Sequence, residues 1–190
     1  MKVIVINGHA ESGKSTFIQM CSEYPGAEVQ EVSMVDAAKH MASTIGWKES
    51  MKTPRDRKFL SDLKDLIDEY NEGSYFFVRE YLHNYAYLHD LSKQHIVFIH
   101  AREPEDIKRL VKDFNAKTLV IRRKFIEDEP SSNHADANWW NFTYDFAVNN
   151  NGELEHLKQN SEEFMKYILK EDFGYEQDDE DNLWFDNVTL

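Results

Sequence analysis

Several things are scarce in this chain, and each shortage excludes a class of protein. There is one cysteine, Cys21, so no disulfide framework can form within the chain, and a reducing cytoplasm is the expected compartment. No apolar run is long enough to span a bilayer, and the N-terminal run lacks a signal peptide's layout, so no membrane association is expected. Cations are outnumbered: 22 Lys and Arg stand against 35 Asp and Glu, a formal net charge of −13. That balance argues against a nucleic-acid partner, whose backbone is bound through Lys and Arg. It leaves room for a free nucleotide, which needs only a few local cations. The deficit is uneven, because the last twenty residues carry eight carboxylates and no Lys or Arg. The eight histidines show no zinc-ligand spacing. There is also no internal repeat and no Asn-Lys-x-Asp sequence of the kind that reads guanine.

What is present is concentrated at the start. Lys2 to Asn7 is a short apolar run, and Gly8-His9-Ala10-Glu11-Ser12-Gly13-Lys14-Ser15 follows without a gap. Thr16 to Cys21 then reads as helix. Strand, Gly-x-x-x-x-Gly-Lys-Ser and helix in that order are the context in which a phosphate-binding loop is meaningful. The glycines let backbone N–H groups turn inward around an anion, and the new helix aims its positive end at the same point. In such a loop Lys14 reaches the β- and γ-phosphates and the Ser15 hydroxyl ligates Mg²⁺. A nucleoside triphosphate is the expected ligand.

A length of 190 residues suits one domain with a sizeable core. Ala27 to Val32 alternates as a half-exposed strand should. Ser33 is placed to cap a helix whose face carries Val35, Ala38, Met41, Ala42 and Ile45, ended by Gly46. Thr53-Pro54-Arg55-Asp56 is a helix start, and Phe59, Leu60, Leu63, Leu66, Ile67 and Tyr70 form the stripe expected to be buried. The next helix, from Ser74 to about Ser92, is aromatic: Phe77, Tyr81, Tyr85 and Leu88 recur at helical spacing, a pattern open to core packing or to a base-stacking wall. His95 to His100 is a continuous apolar strand of the kind covered on both faces. After a helix from Glu105 to Phe114 come a strand at Thr118–Ile121, a polar stretch from Arg122 to about Asn141, a strand at Tyr144–Val148 and a helix from Leu154 to about Lys170. In that last helix Leu157, Phe164, Ile168 and Leu169 are expected to be buried. Alternating strands and helices imply a three-layer α/β/α sandwich with a five-stranded, mainly parallel sheet, the phosphate-loop NTPase fold. Cys21 falls on the expected buried face of the first helix and reads as a structural thiol.

Clustered arginines at strand ends suit phosphoryl transfer, which is mostly positioning and charge neutralisation. Arg102 lies just past the third strand, and Arg122 and Arg123 open the long polar stretch.

Beyond the loop, the chain resembles the phage-type deoxynucleoside monophosphate kinases. Phe98-Ile99-His100-Ala101-Arg102-Glu103-Pro104-Glu105-Asp106 is similar to that family's Asp-Val-Arg-Phe-x-Asn-Glu segment, and Arg122-Arg123 with Asn133-His134-Ala135-Asp136 is similar to its lid. Tyr144-Asp145 through Asn149-Asn150-Asn151-Gly152-Glu153-Leu154-Glu155-His156-Leu157 resembles its ending, which dephospho-coenzyme A kinases share. Animal-type phosphomevalonate kinases have the same architecture. The resemblance covers about residues 1 to 170 and implies transfer of the γ-phosphoryl of ATP, with Mg²⁺, to a nucleoside monophosphate. It implies a loop of Gly8, His9, Ala10, Glu11, Ser12, Gly13, Lys14, Ser15 and Thr16 around the triphosphate, Arg122 or Arg123 as lid cations in a segment of about 122–141, and Arg102 on the acceptor phosphate or transition state. Ser33, Asp36, Arg57 and Lys58, in helices spanning about 34–92, fall on the acceptor side by position; Arg57 and Lys58 also read as plain surface charge.

One position departs from the pattern. The family's strand-end Asp is His100 here, and Mg²⁺ prefers oxygen ligands, so Glu103 or Glu11 is the expected substitute. Two other acceptor or class readings stand beside the nucleotide kinase. One is an acceptor hydroxyl, as in dephospho-coenzyme A, with Asp36 as base. The other is an ATP-binding regulatory or assembly subunit without turnover. The tail from Glu171 to Leu190 is too acidic to pack by itself. It is open to disorder or to docking through Trp184-Phe185, onto the body or onto a second copy of the chain in a homodimer.

Overall fold

The computed structural model describes residues 1–50, 53–88, 94–124 and 142–171. Most of the expected lid, with His134 and Asp136, and the tail beyond Glu171, with Trp184-Phe185, lie outside the described residues.

Five strands form one sheet in the order β2-β3-β1-β4-β5, all parallel. They are β1 (Lys2–Asn7), β2 (Ala27–Ser33), β3 (Gln94–His100), β4 (Lys117–Arg122) and β5 (Phe146–Asn149). Among the described residues the helices are α1 (Lys14–Ser22), α2 (Asp36–Thr44), α3 (Pro54–Asn71), α4 (Gly73–Leu88), α5 (Pro104–Phe114) and α6 (Leu154–Ile168). All six residues of β1 are buried, as expected of a central strand whose two faces are both covered. Its alternate side chains divide the core. Val3 and Val5 pack with Val97, Ile99 and the inner faces of α4 and α5. Ile4 and Ile6 pack with Phe98, Leu119, Ile121, α1 and α6. This is the α/β/α sandwich the alternation implies. Among the described residues, no helix is long and apolar enough to cross a membrane.

Local chemistry sets the element ends. Thr53 and Asp56 form a reciprocal capping box with Pro54 at the first helical position, so α3 starts where its sequence says. Val35, not Ser33, occupies the N-cap of α2, but Ser33 still organises that turn: its backbone N–H donates to Asp36 Oδ2 at 2.8 Å and its hydroxyl accepts from Val35 N. Strand β5 begins at Phe146 instead of Tyr144. Asp145 Oδ2 accepts from Thr118 N and Oγ1 at 2.8 and 2.7 Å, which takes a β4 donor out of the ladder.

Three burial expectations need correction. Helix α3 buries no residue completely; Phe59 is 37% exposed, Leu66 63% and Tyr70 85%. It packs on α2 and α4 above the sheet instead of on the sheet, so its stripe meets only a partial partner. In α4 the buried line is Tyr75, Val78, Leu82 and Tyr85, while Phe77 and Tyr81 are partly buried against the same core; the Leu88 side chain lies outside the described residues. In α6 Met165 and Ser161 are buried, and Leu169, the residue just past its end, is only partly so.

Candidate active site

The loop after β1 has the backbone its glycines promise. Gly8 has φ +135° and Gly13 +101°, both in the region that favours glycine. At Gly8 the reason is also steric, because a Cβ there would overlap the Ile121 carbonyl oxygen. Glu11 adopts φ +64° without glycine's freedom, the sort of local strain found in ligand-wrapping loops. Gly13 is the N-cap of α1, with no side-chain cap bond and no acid in the first turn. The helix start therefore keeps its positive end for an anion instead of spending it on its own side chains.

Lys14 Nζ donates to the carbonyl oxygens of Gly8 and His9 at 2.8 and 2.7 Å, bridging the loop. His9 is buried, its Nδ1 2.8 Å from Ala10 O. Asn7 anchors the loop's root: its Oδ1 accepts from Gly8 N at 2.8 Å and its Nδ2 donates to Tyr144 Oη at 2.8 Å and Arg102 O at 3.3 Å. Burial pushes the Tyr144 phenol up to about 12, against the Asn7 hydrogen bond, so Tyr144 stays protonated at neutral pH. Cys21 is fully buried, and desolvation raises its thiol far above the usual range, as a structural cysteine requires.

Two cavities meet at the loop. One, of about 450 Å³, is lined by Glu11, Gly13, Lys14, Ser15, Thr16, Arg123, Asn150, Gly152, Leu154 and Leu157. The other, of about 820 Å³, lies between the loop, the ends of β2 and β3, and helices α2 and α3. Glu11, Lys14 and Ser15 line both.

The larger cavity gathers Ser33, Asp36, Arg57 and Arg102, as expected of the acceptor side. Lys58 is not with them. It points to solvent, 74% exposed, and pairs with Asp62 at 2.6 Å, one helical turn on. Arg123 joins the smaller cavity, whereas Arg122 is exposed at the end of β4 and lines neither. No described residue of α4 lines the larger cavity, and Tyr75, Phe77, Tyr81 and Tyr85 of its stripe pack in or against the core. Among the described residues, Trp47 gives that cavity a flat aromatic surface.

Charge in the larger cavity is organised in pairs. Lys39 Nζ bridges Asp36 Oδ1 at 2.9 Å and Glu49 at 3.4 Å, and these carboxylates outweigh burial to raise its pKa. Lys64 stands 2.7 Å from Asp68 and 3.7 Å from Asp106. Burial lifts the Asp106 carboxyl above its usual range, with Lys64 opposing. His100, at the end of β3, meets Glu31 of β2 at 3.0 Å. Sequence reasoning missed Glu31, Lys39, Trp47, Lys64, Asp106 and Asn150. Of these Asn150 had a signal, in the Asn-Asn-Asn-Gly run after the last strand, and Asp106 had one as the last residue of the segment after the third strand.

Mg²⁺ would find hard oxygen donors here: the Ser15 hydroxyl with the carboxylates of Glu11, Glu31 and Glu103, all lining the larger cavity. Among the described residues no three His, Cys, Asp or Glu converge into a metal cage.

A parallel sheet whose central strand feeds Gly-x-x-x-x-Gly-Lys-Ser into a helix defines the phosphate-loop NTPase fold. The chain is similar in fold to TT1252 from Thermus thermophilus (16% identity, TM-score 0.49, covering 91% of this chain and 98% of that one). It is also similar to shikimate kinase from Aquifex aeolicus (12%, 0.47, 88% and 98%) and to the APS kinase of Mycobacterium tuberculosis in complex with AMPPNP and APS (12%, 0.44, 88% and 97%). At these values the likeness bears on neither activity nor acceptor. No family model and no curated protein matches the sequence.

Proposed function

We propose that this chain is an ATP- and Mg²⁺-dependent phosphotransferase whose acceptor is a nucleoside monophosphate, a deoxynucleotide in the first instance. The observation that carries the reading is the shared wall of the two cavities. Lys14 and Ser15 face a donor-sized space with Arg123 on one side and a larger space with Arg57 and Arg102 on the other. A phosphoryl group can then pass between two bound molecules without leaving the loop's cations.

The donor's phosphates lie in the loop, with Lys14 on the β- and γ-phosphates, and its nucleoside part extends along Gly152, Leu154 and Leu157. The acceptor's phosphate is met by Arg57 and Arg102, and its base has Trp47 as a flat partner. An acceptor phosphate oxygen attacks the γ-phosphorus in line, the bond to the β–γ bridging oxygen breaks, and the electron pair leaves on ADP. Lys14, Arg102 and Arg123 neutralise the charge that spreads over the transferring group. Bound Mg²⁺ supplies further charge neutralisation, with Ser15 as its protein ligand. No general base is needed, since the attacking oxygen is already anionic.

A second reading has its own observation: Asp36 lies in the acceptor cavity, placed as a base for a hydroxyl acceptor such as dephospho-coenzyme A. The test is ADP release from ATP-Mg²⁺ against a panel of ribo- and deoxynucleoside monophosphates plus dephospho-coenzyme A, with Lys14→Ala alongside. The reading expects turnover with one or a few monophosphates, reduced about 10²–10³-fold in the variant. ATP binding without acceptor-dependent ADP release sinks it in favour of a binding subunit.

A further inference from the structure

We propose that Asn150 and Asn151, in the turn between β5 and α6, are positioning residues for the donor phosphates. Asn150 sets the phosphate loop, and Asn151 sets the backbone that presents Arg123. The inference rests on the donor reading of the smaller cavity.

Asn150 makes two bonds in opposite directions. Its Nδ2 donates to the Ser12 carbonyl oxygen at 2.8 Å, and its backbone N–H donates to the Arg122 carbonyl oxygen at 2.7 Å. Asn151 Oδ1 accepts from Lys124 N at 2.6 Å. Arg123 is thus flanked on both sides by backbone groups tied to one turn. The amide of Asn150 also occupies the space beside Gly13 that a Cβ would need.

The Ser12 bond has a consequence for anion binding. A trans peptide sends its N–H opposite to its C=O, so a Ser12 carbonyl held by Asn150 fixes the Gly13 N–H pointing away from the turn. A loop that wraps an anion depends on such N–H groups being held before the ligand arrives, which lowers the ordering cost of binding. Asn150 and Arg123 both line the donor cavity, so one turn registers the backbone donors and the cation against each other.

The experiment is calorimetric titration of ATP-Mg²⁺ into wild type, Asn150→Ala, Asn150→Asp, Asn151→Ala, Arg123→Ala and the Asn151→Ala/Arg123→Ala double variant, with melting temperatures alongside. Asn150→Ala is expected to weaken ATP by about tenfold and, with one part-buried hydrogen bond lost, to lower the melting temperature by only a few degrees. Asn150→Asp keeps the packing against Gly13 and is expected to weaken ATP further, since it replaces a donor with an anion beside the loop. Asn151→Ala is expected to weaken ATP in wild type and to do nothing when Arg123 is already gone. Wild-type affinity in Asn150→Ala, or additive losses in the double variant, would overturn the inference alone. Wild type that does not bind ATP overturns the donor reading, and the inference with it.

Discussion

His100 Nε2 lies 3.0 Å from Glu31 Oε2, so a cross-strand pair closes the loop-side edge between β3 and β2. His100 stands opposite Ser33 in the parallel register, and Glu31 is its diagonal neighbour on the same face. A carboxylate therefore stands beside His100, contributed by the adjoining strand.

That pair predicts an acid-side effect. The His100 hydrogen bond holds the Glu31 carboxyl below its ordinary value of 4.5, against burial, with the charges of His100 and Lys39 assisting. A carboxyl depressed in the folded state stabilises at pH above its unfolded value, and that contribution is lost as pH falls through the folded one. Glu31 is half exposed, so the effect is below about 1 kcal/mol. Wild type is expected to lose melting temperature more steeply than His100→Ala as pH is lowered below about 4.5. Parallel profiles would show that the pair contributes nothing.

Gly8 and Gly26 separate strain from collision. Both have positive φ, but a Cβ at Gly26 meets nothing within 4 Å, whereas at Gly8 it overlaps the Ile121 carbonyl oxygen. Gly26→Ala is expected to cost about 1 kcal/mol. Gly8→Ala is expected to cost about 2–4 kcal/mol and to abolish ATP binding, because the backbone of β4 cannot give way. Chemical denaturation of both variants measures the difference, and equal costs would mean that the loop shifts freely.

Much of this fold was legible because the signals were local and redundant. Strand β1, the loop and α1 each carry their own pattern, and the Thr53–Asp56 box names the start of α3 within four residues. The failures came where the partner decides. The spacing of Phe59, Leu66 and Tyr70 gives α3 an apolar face, but nothing in α3 says that α2 and α4, not a sheet, lie beneath it. Lys58 and Arg57 are adjacent in sequence, and the 100° step between successive helical residues puts one in solvent and the other in the cavity. The pairs His100–Glu31 and Asn150–Ser12 join residues 69 and 138 positions apart, which no single-chain pattern announces.

Lys2 offers a stability prediction remote from the site. Its buried ammonium donates to the carbonyl oxygens of Ile168 and Glu171, both at 2.6 Å, capping the end of α6 where the helix dipole is negative. Lys2→Met keeps the stem but removes the charge and both bonds, an expected loss of about 1.5–3 kcal/mol. The melting temperature should fall by about 3–10 °C. ATP affinity should not change, because the loop leaves the opposite end of β1. An unchanged melting temperature would mean that water satisfies those carbonyls equally well.

Asp36 decides between the two acceptor chemistries. Its Oδ2 accepts from Ser33 N and its Oδ1 pairs with Lys39, so in the nucleotide reading its task is to hold the start of α2 and keep Lys39 in place. Asp36→Asn retains an oxygen for Ser33 and gives up the charge that faces Lys39. With an anionic acceptor no proton has to be removed, so kcat is expected to fall by less than about tenfold, with the change appearing mainly in acceptor KM. A hydroxyl acceptor loses its base instead, and kcat falls about 10²–10⁴-fold while ATP still binds. Steady-state kinetics with ATP and each acceptor held in turn at saturation separates the two. The larger fall would move the acceptor from a phosphate to an alcohol and leave the donor half of the site as it stands.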